Sequence, residues 1–279
     1  MFKSSKNFLT MDDISTGLLP EEDQSGDLLF SDWRFTNKTT IRKPTGELSL
    51  RDGAAILPPV ENQFNTNSCT SCATSSMVEF ASLNLGLDFL PRQVSILALH
   101  WLARLLDCGG DESLIPGRPG ATIKNSTRVV NEFGVASNFL WPFVPIRKNT
   151  KPPENVFEEA KANSGRMAFF KLNSFDDMVR CLEEGWPFVV GFPVYEDAVR
   201  ASLITGVINM PEEYDVSYSG HSVLCWGIDD VSHPKHLLIR NSWGKLWGVA
   251  GDGKLSIGYL EPPEGQVTHV WKPWTIRPI

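Results

Sequence analysis

Gln63-Phe-Asn-Thr-Asn-Ser-Cys69-Thr-Ser-Cys72-Ala-Thr-Ser-Ser-Met-Val-Glu79 is the stretch that organises this chain. Pro58-Pro59 and Val60-Glu61-Asn62 lead into it, which keeps the approach extended and loop-like. From Ser71 onward Ala73, Met77, Val78, Phe80 and Ala81 set apolar groups at helical spacing. Cys69 therefore falls where a polar loop becomes a helix. Free N–H groups and the positive end of the helix dipole favour a thiolate there, and the thiolate is the nucleophile. Gln63 is placed to aim a side-chain amide back at the same point. With the backbone N–H of Cys69 it would bind an oxyanion.

One cysteine decides little, because most unpaired cysteines are small buried hydrophobes. The far end of the chain supplies the complement. Gly220-His221-Ser222-Val223 runs into an apolar, strand-like stretch, and His236-Leu-Leu-Ile-Arg-Asn241-Ser-Trp243-Gly-Lys-Leu-Trp247-Gly follows. Cys, His and Asn in that order are the parts of a Cys-His-Asn site.

On these residues the chain resembles the papain-like cysteine peptidases. Val-Glu-Asn-Gln63, Ser-Cys69, Gly-His221, Arg-Asn241-Ser-Trp243-Gly and Trp247-Gly follow the family's pattern in order, over roughly residues 47 to 262. The separation between Cys69 and His221 is longer than the family's usual spacing, which implies insertions. Thr70 stands where the family usually has an aromatic residue, as in bacterial and phage-type relatives. Cys72 competes with Cys69, because Cys-x-x-Cys in the family carries the nucleophile second. The family's spacing from Gln to nucleophile, and the Glu that follows at the position of Glu79, both select Cys69.

The resemblance implies an α+β, two-lobed papain-like fold, with a helical lobe, an antiparallel β-barrel-like lobe and the active-site cleft between them. It implies Cys69, His221 and Asn241 as catalytic residues, Gln63 in the oxyanion hole and Trp243 shielding the His–Asn hydrogen bond. Gly120 and Ala121 are the candidates for the wall that holds substrate backbone by β-type pairing. The function implied is peptide-bond hydrolysis through a thioester. A catalytically silent binding protein and an acyl-transfer or amidase variant are the rivals. No metal and no cofactor is expected.

Composition agrees with an ordinary globular chain: 279 residues, 42% hydrophobic and 21% charged. A net charge of −7 without a basic stripe argues against nucleic acid as the main partner, which leaves a protein or peptide substrate. Cys69, Cys72, Cys108, Cys181 and Cys225 suggest neither a disulfide framework nor zinc-ligand spacing. The N-terminus lacks the apolar core of a signal peptide, and no segment reaches the ~20 apolar residues of a membrane span. The expected setting is reducing and intracellular, in a bacterium or a virus-infected host cell.

Residues 1–45 are polar, punctuated by Gly and Pro, and could be a tail, a short propeptide or a strap over the other lobe; Phe30, Trp33 and Phe35 suggest packing. Residues 46–279 are expected to form the peptidase domain. Its helical lobe is expected over about 60–165 and its β lobe over about 166–279, with part of the N-terminal segment. Helices are expected from Cys69 to about Leu85, over Arg92–Asp107 and Ile123–Phe133, over Glu154–Ala162, and from Ser174 to Gly185. Strands are expected at Met167–Leu172, Phe188–Val194, Val223–Ile228, His236–Arg240 and Lys254–Ile257. His100, inside an apolar helix without motif neighbours, is expected to be structural.

Overall fold

The computed structural model describes residues 9–22, 24, 26–33, 46–51, 55–211, 217–261 and 271–279. Helices dominate the first half and strands the second, as the change in patterning predicts. The segregation gives two lobes, and α1 (Cys69–Asn84) lies at their junction. α1 packs on α2 (Ile96–Asp107) and α3 (Ile123–Glu132) on one side. On the other it packs on β3 (Phe188–Tyr195) and β5 (Ser217–Ile228). Covered from both directions, it is buried almost all round. Its Ser and Thr side chains are buried along with the apolar ones.

Helix ends follow the polar residues of the sequence. Ser95 Oγ accepts from the Ala98 N–H at 3.3 Å, so α2 starts at Ile96 and not at Arg92. Val94 is instead drawn into a bridge with Ser137. Thr122 caps α3 by accepting from the Asn125 N–H at 3.1 Å. Ser174 and Asp177 cap α5 (Phe175–Glu183): the Asp177 N–H donates to Ser174 Oγ at 3.1 Å, and Asp177 Oδ2 accepts from the Asn173 N–H at 3.0 Å. α1 and α3 run out into Gly86 and Gly134, whose φ angles of 68° and 76° suit glycine. α4 spans Glu154–Lys161.

The described strands form one eight-stranded sheet in the order β2-β8-β3-β5-β6-β7-β4, with β1 (Leu48–Ser49) also paired to β5. β2 is Met167–Lys171, β6 His236–Arg240, β7 Asp252–Ser256 and β8 Trp274–Pro278. Pairing is antiparallel except between β4 (Val207–Ile208) and β7. β5 begins at Ser217, earlier than its apolar run, and so carries Gly220, His221 and Ser222 as strand residues against Pro193, Phe192 and Gly191. One apolar cluster runs through both lobes, and a small satellite of Ala98, Ala136, Val156 and Ala160 lies in the helical lobe.

The N-terminal segment is built into this frame. Phe30 is wholly buried, with the Arg277 and Arg180 guanidinium groups over its ring at 5.0 and 5.4 Å. Leu29 bridges Lys171, and Asp27 pairs with both Lys124 and Lys171. Trp33 meets Phe170 edge-on at 4.8 Å. Phe35 and residues 1–8 lie outside the described residues.

Candidate active site

Cys69 is the first residue of α1. The preceding Ser68 does not cap the helix with its side chain; its hydroxyl lies 2.7 Å from Thr66 Oγ1. The first-turn N–H groups are thus left without a capping side chain, as an anion site at a helix start requires.

His221 and Asn241 meet from neighbouring strands. β5 carries His221, and Asn241 follows the last residue of β6. The His221 Nε2–H donates to Asn241 Oδ1 at 2.8 Å, and the same oxygen accepts from the Ser242 N–H at 2.7 Å. That bond fixes the tautomer and leaves Nδ1, buried and without a hydrogen-bond partner, as the basic nitrogen. Trp243 stacks on the imidazole at 4.4 Å with an interplanar angle of 21°. Phe192 meets its edge at 5.6 Å. The His221–Asn241 bond is thereby walled from water by aromatic rings. Ser222, next along β5, acts on the Cys69 sulfur closely enough to offset part of the effect of burial, so the nucleophile candidate and the His–Asn pair meet across the junction.

Gln63 is fully buried. Its Oε1 accepts from Ser242 Oγ at 2.6 Å, which turns Nε2 outward as a donor. Nε2 donates to the Ser15 carbonyl at 2.8 Å, and the Trp243 indole N–H donates to the same oxygen at 2.9 Å. The chain's own N-terminal segment therefore lies in the cleft. The Gly17 and Leu18 N–H groups donate to the Gly220 carbonyl at 3.2 and 3.1 Å. The Ala121 N–H donates to the Gly17 carbonyl at 3.0 Å, and Leu19 N–H to the Ala121 carbonyl at 3.1 Å. Two glycines permit this approach: a Cβ on Gly120 would lie 1.7 Å from the Gly17 oxygen, and one on Gly17 would lie 2.0 Å from the Asn67 oxygen. Leu18, only 4% exposed, is seated over Gly191, beside Ile123 and Trp271. The Trp271 indole N–H donates to the Leu19 carbonyl at 2.9 Å.

Covered in this way, Cys69 and His221 are both biased towards their neutral forms. Burial pushes the Cys69 thiol up to about 11, against partial relief from Ser222. Burial also pulls His221 down to about 4, and its bond to Asn241 offsets only part of that. Cys72 is held well above the ordinary thiol range by burial and then by the Glu61 carboxylate. Burial pushes Glu79 up to about 8, while its Oε1 accepts from the Val94 N–H at 2.8 Å and ties α1 to the entry of α2. His100 is fully buried, and desolvation keeps it neutral. No group of His, Cys, Asp and Glu among the described residues could hold a metal ion.

Ser15, Gly17, Leu18, Gly191, Ser222 and Trp271 join the site although the sequence assigned none of them a role. The first three act through backbone or simple bulk. Ser222 carried one clue, its place directly after His221.

The described fold is shared with solved cysteine proteases. Xylellain of Xylella fastidiosa superposes with a TM-score of 0.76, covering 100% of this chain and 99% of that one at 22% identity. In sequence, residues 46–259 match the papain family of cysteine proteases, and this chain belongs to that family. A peptidase C1-like protein of Acanthamoeba polyphaga mimivirus is 31% identical over 210 residues, covering 71% of this chain and 64% of the viral protein. Cathepsin O of Mus musculus is 24% identical over 210 residues, covering 73% of this chain and 60% of its own length. The matches thus span less than two thirds of these relatives. Among the described residues no helix is long and apolar enough to cross a membrane.

Proposed function

We propose that this chain is a cysteine peptidase held latent by its own N-terminal segment, with Cys69 as nucleophile, His221 as acid and base and Asn241 as orienter. The observation that carries the reading is the Ser15 carbonyl, bound where Gln63 Nε2 and Trp243 Nε1 converge. Gln63 Nε2 is one of the two donors that the oxyanion of a scissile carbonyl would use. In turnover His221 Nδ1 takes the Cys69 proton and the thiolate attacks the substrate carbonyl. Gln63 Nε2 and the Cys69 N–H hold the oxyanion. The imidazolium then protonates the leaving amine and afterwards activates water.

Chain direction explains why the segment inhibits and is not consumed. The wall at Gly120 and Ala121 would hold the acyl side of a substrate, which precedes the scissile carbonyl. In the N-terminal segment the residues on that wall, Gly17 to Leu19, follow Ser15. Leu18 accordingly pairs with Ala121 in parallel. The segment lies backwards, so attack at its carbonyl would place the acyl chain on the wrong side of the cleft. The seat of Leu18 supports an apolar side chain as the substrate feature read upstream of the cut.

The test compares full-length protein with Leu18→Asp, which places a charge in the apolar seat and expels the segment. Hydrolysis of a mixed peptide pool is expected only from Leu18→Asp, and Cys69→Ala in that background should abolish it. Equal turnover with and without Cys69 would overturn the assignment. High turnover by the intact full-length chain would overturn the latency.

A further inference from the structure

Cys72 is a second thiol one helical turn from the nucleophile, and the mechanism leaves it without a task. Cys69-Thr-Ser-Cys72 occupies the first turn of α1, which is helical from Cys69 with the Cys72 N–H donating to the Ser68 carbonyl at 2.9 Å. Residues three apart on an α-helix have Cα atoms about 5 Å apart on one face. Disulfides bridge Cα separations of roughly 4.4–6.8 Å. The two side chains share a neighbour: Ser222 acts on the Cys69 thiol, and it lines with Cys72 a cavity of about 10 Å3 that also touches Asn241 and Ser242. Ser68 Oγ, from the residue just before Cys69, lies 3.7 Å from Cys72 Sγ. Both cysteines are free in the described structure.

We propose that Cys69 and Cys72 form a reversible disulfide when the opened site meets hydrogen peroxide, so that the nucleophile's oxidation stops at a bridge that thiols can undo. The proposal rests on the reading of Cys69 as an activated thiol. The Cys69 thiolate attacks one peroxide oxygen. An S–O bond forms, the O–O bond breaks, and the leaving hydroxide takes the proton held by His221 and departs as water. Cys69 is now a sulfenic acid, oxidised by two electrons. Cys72 sulfur attacks that sulfur; the S–S bond forms and the S–O bond breaks. The hydroxide released takes the Cys72 proton and leaves as a second water. In sum, two thiols and one peroxide give one disulfide and two waters. The order is set by environment: Cys69 has a base beside it, whereas Cys72 is buried near the Glu61 and Glu79 carboxylates and stays protonated until the sulfenic acid is formed. The cavity is of the size that holds one water molecule.

Peptide mapping tests this independently of any peptidase assay. Leu18→Asp protein is treated with a small excess of hydrogen peroxide, remaining thiols are blocked, and a tryptic digest is read by mass spectrometry. Cys69 and Cys72 are the only cysteines in the tryptic fragment 52–92, which is expected to be lighter by two hydrogens and to regain them with dithiothreitol. With Cys72→Ser added, the same fragment should carry sulfinic acid on Cys69. The fraction of alkylatable Cys69 recovered by dithiothreitol should then fall at least ~10-fold, because the sulfinic stage is not reversed by thiols. A fragment that takes up oxygen equally with and without Cys72, and never loses two hydrogens, overturns the bridge while leaving the nucleophile assignment standing. If untreated Leu18→Asp protein shows no fast alkylation at Cys69, the assignment of the nucleophile fails, and the bridge with it.

Discussion

Replacing Leu18 by alanine measures how tightly the N-terminal segment closes the cleft. The side chain is almost wholly buried on Gly191, Ile123 and Trp271, and burying a leucine is worth about 1.5–3 kcal/mol. Truncation leaves the backbone bonds to Gly220 and Ala121 intact, so that term is what the closed state loses. At 1.4 kcal/mol per decade, the open fraction should rise by roughly 10- to 150-fold. The assay is the rate of Cys69 alkylation by a small haloacetamide at mildly acidic pH, with the labelled site mapped. When opening and closing are fast relative to labelling, the rate follows the open population. Leu18→Ala should therefore label 10- to 150-fold faster (about one to two decades) with an unchanged thermal midpoint for the rest of the domain. An unchanged labelling rate would refute the claim that Leu18 holds the segment down. So would an increase that appears equally at Cys181 and Cys225, because those buried thiols report global unfolding and not release of the cleft.

Two further outcomes follow from the same contacts. Gln63→Ala in the Leu18→Asp background should lower kcat by about 10²–10³-fold, the scale for one oxyanion donor, with little change in KM; steady-state kinetics on one peptide check this. Stability of the closed form should depend on pH through His221 and Cys69. His221 is depressed from 6.5 to about 4, so between those values the unfolded chain binds the proton that the closed fold refuses; the midpoint should fall as pH drops through that window. Cys69 is raised from 9.0 to about 11, so the closed fold keeps a proton that the unfolded chain releases, and the midpoint should fall again as pH rises through that range. Calorimetry of the wild-type chain against His221→Ala and Cys69→Ala separates the two contributions.

Much of the candidate site was legible because the chemistry proposed for it restricts residue type. A candidate nucleophile at a helix start, a histidine on a strand, an Asn-Ser-Trp after the next strand and a Gln upstream each need particular side-chain atoms. Their positions in the fold follow from hydrophobic periodicity. The parts that escaped work differently. The Ser15–Leu19 segment is held by backbone N–H and C=O groups, which any residue supplies, and Gly17 is needed only for its missing Cβ. α6 (Glu196–Thr205) escaped because it begins straight from β3 with no capping side chain at Tyr195. β8 contains a proline and finds its partners, β2 and β3, far back in the chain. β5 reaches past its apolar run because Gly220 and Ser222 are selected by what lies against them and not by strand preference.

The seat of Phe30 has a consequence for how the cleft can be freed. Buried between Arg277 and Arg180, it moors the far end of the segment to the sheet. An inhibitor tethered by a short linker acts at an effective concentration in about the millimolar range, whatever the dilution of the protein. If the segment holds the chain latent as proposed, dilution should therefore not switch it on, and a detached peptide copy of Ser15–Glu21 should be a far poorer inhibitor than the same residues in place. Any agent that opens the cleft must outcompete a ligand that never diffuses away, or must sever the tether between Glu21 and Phe30.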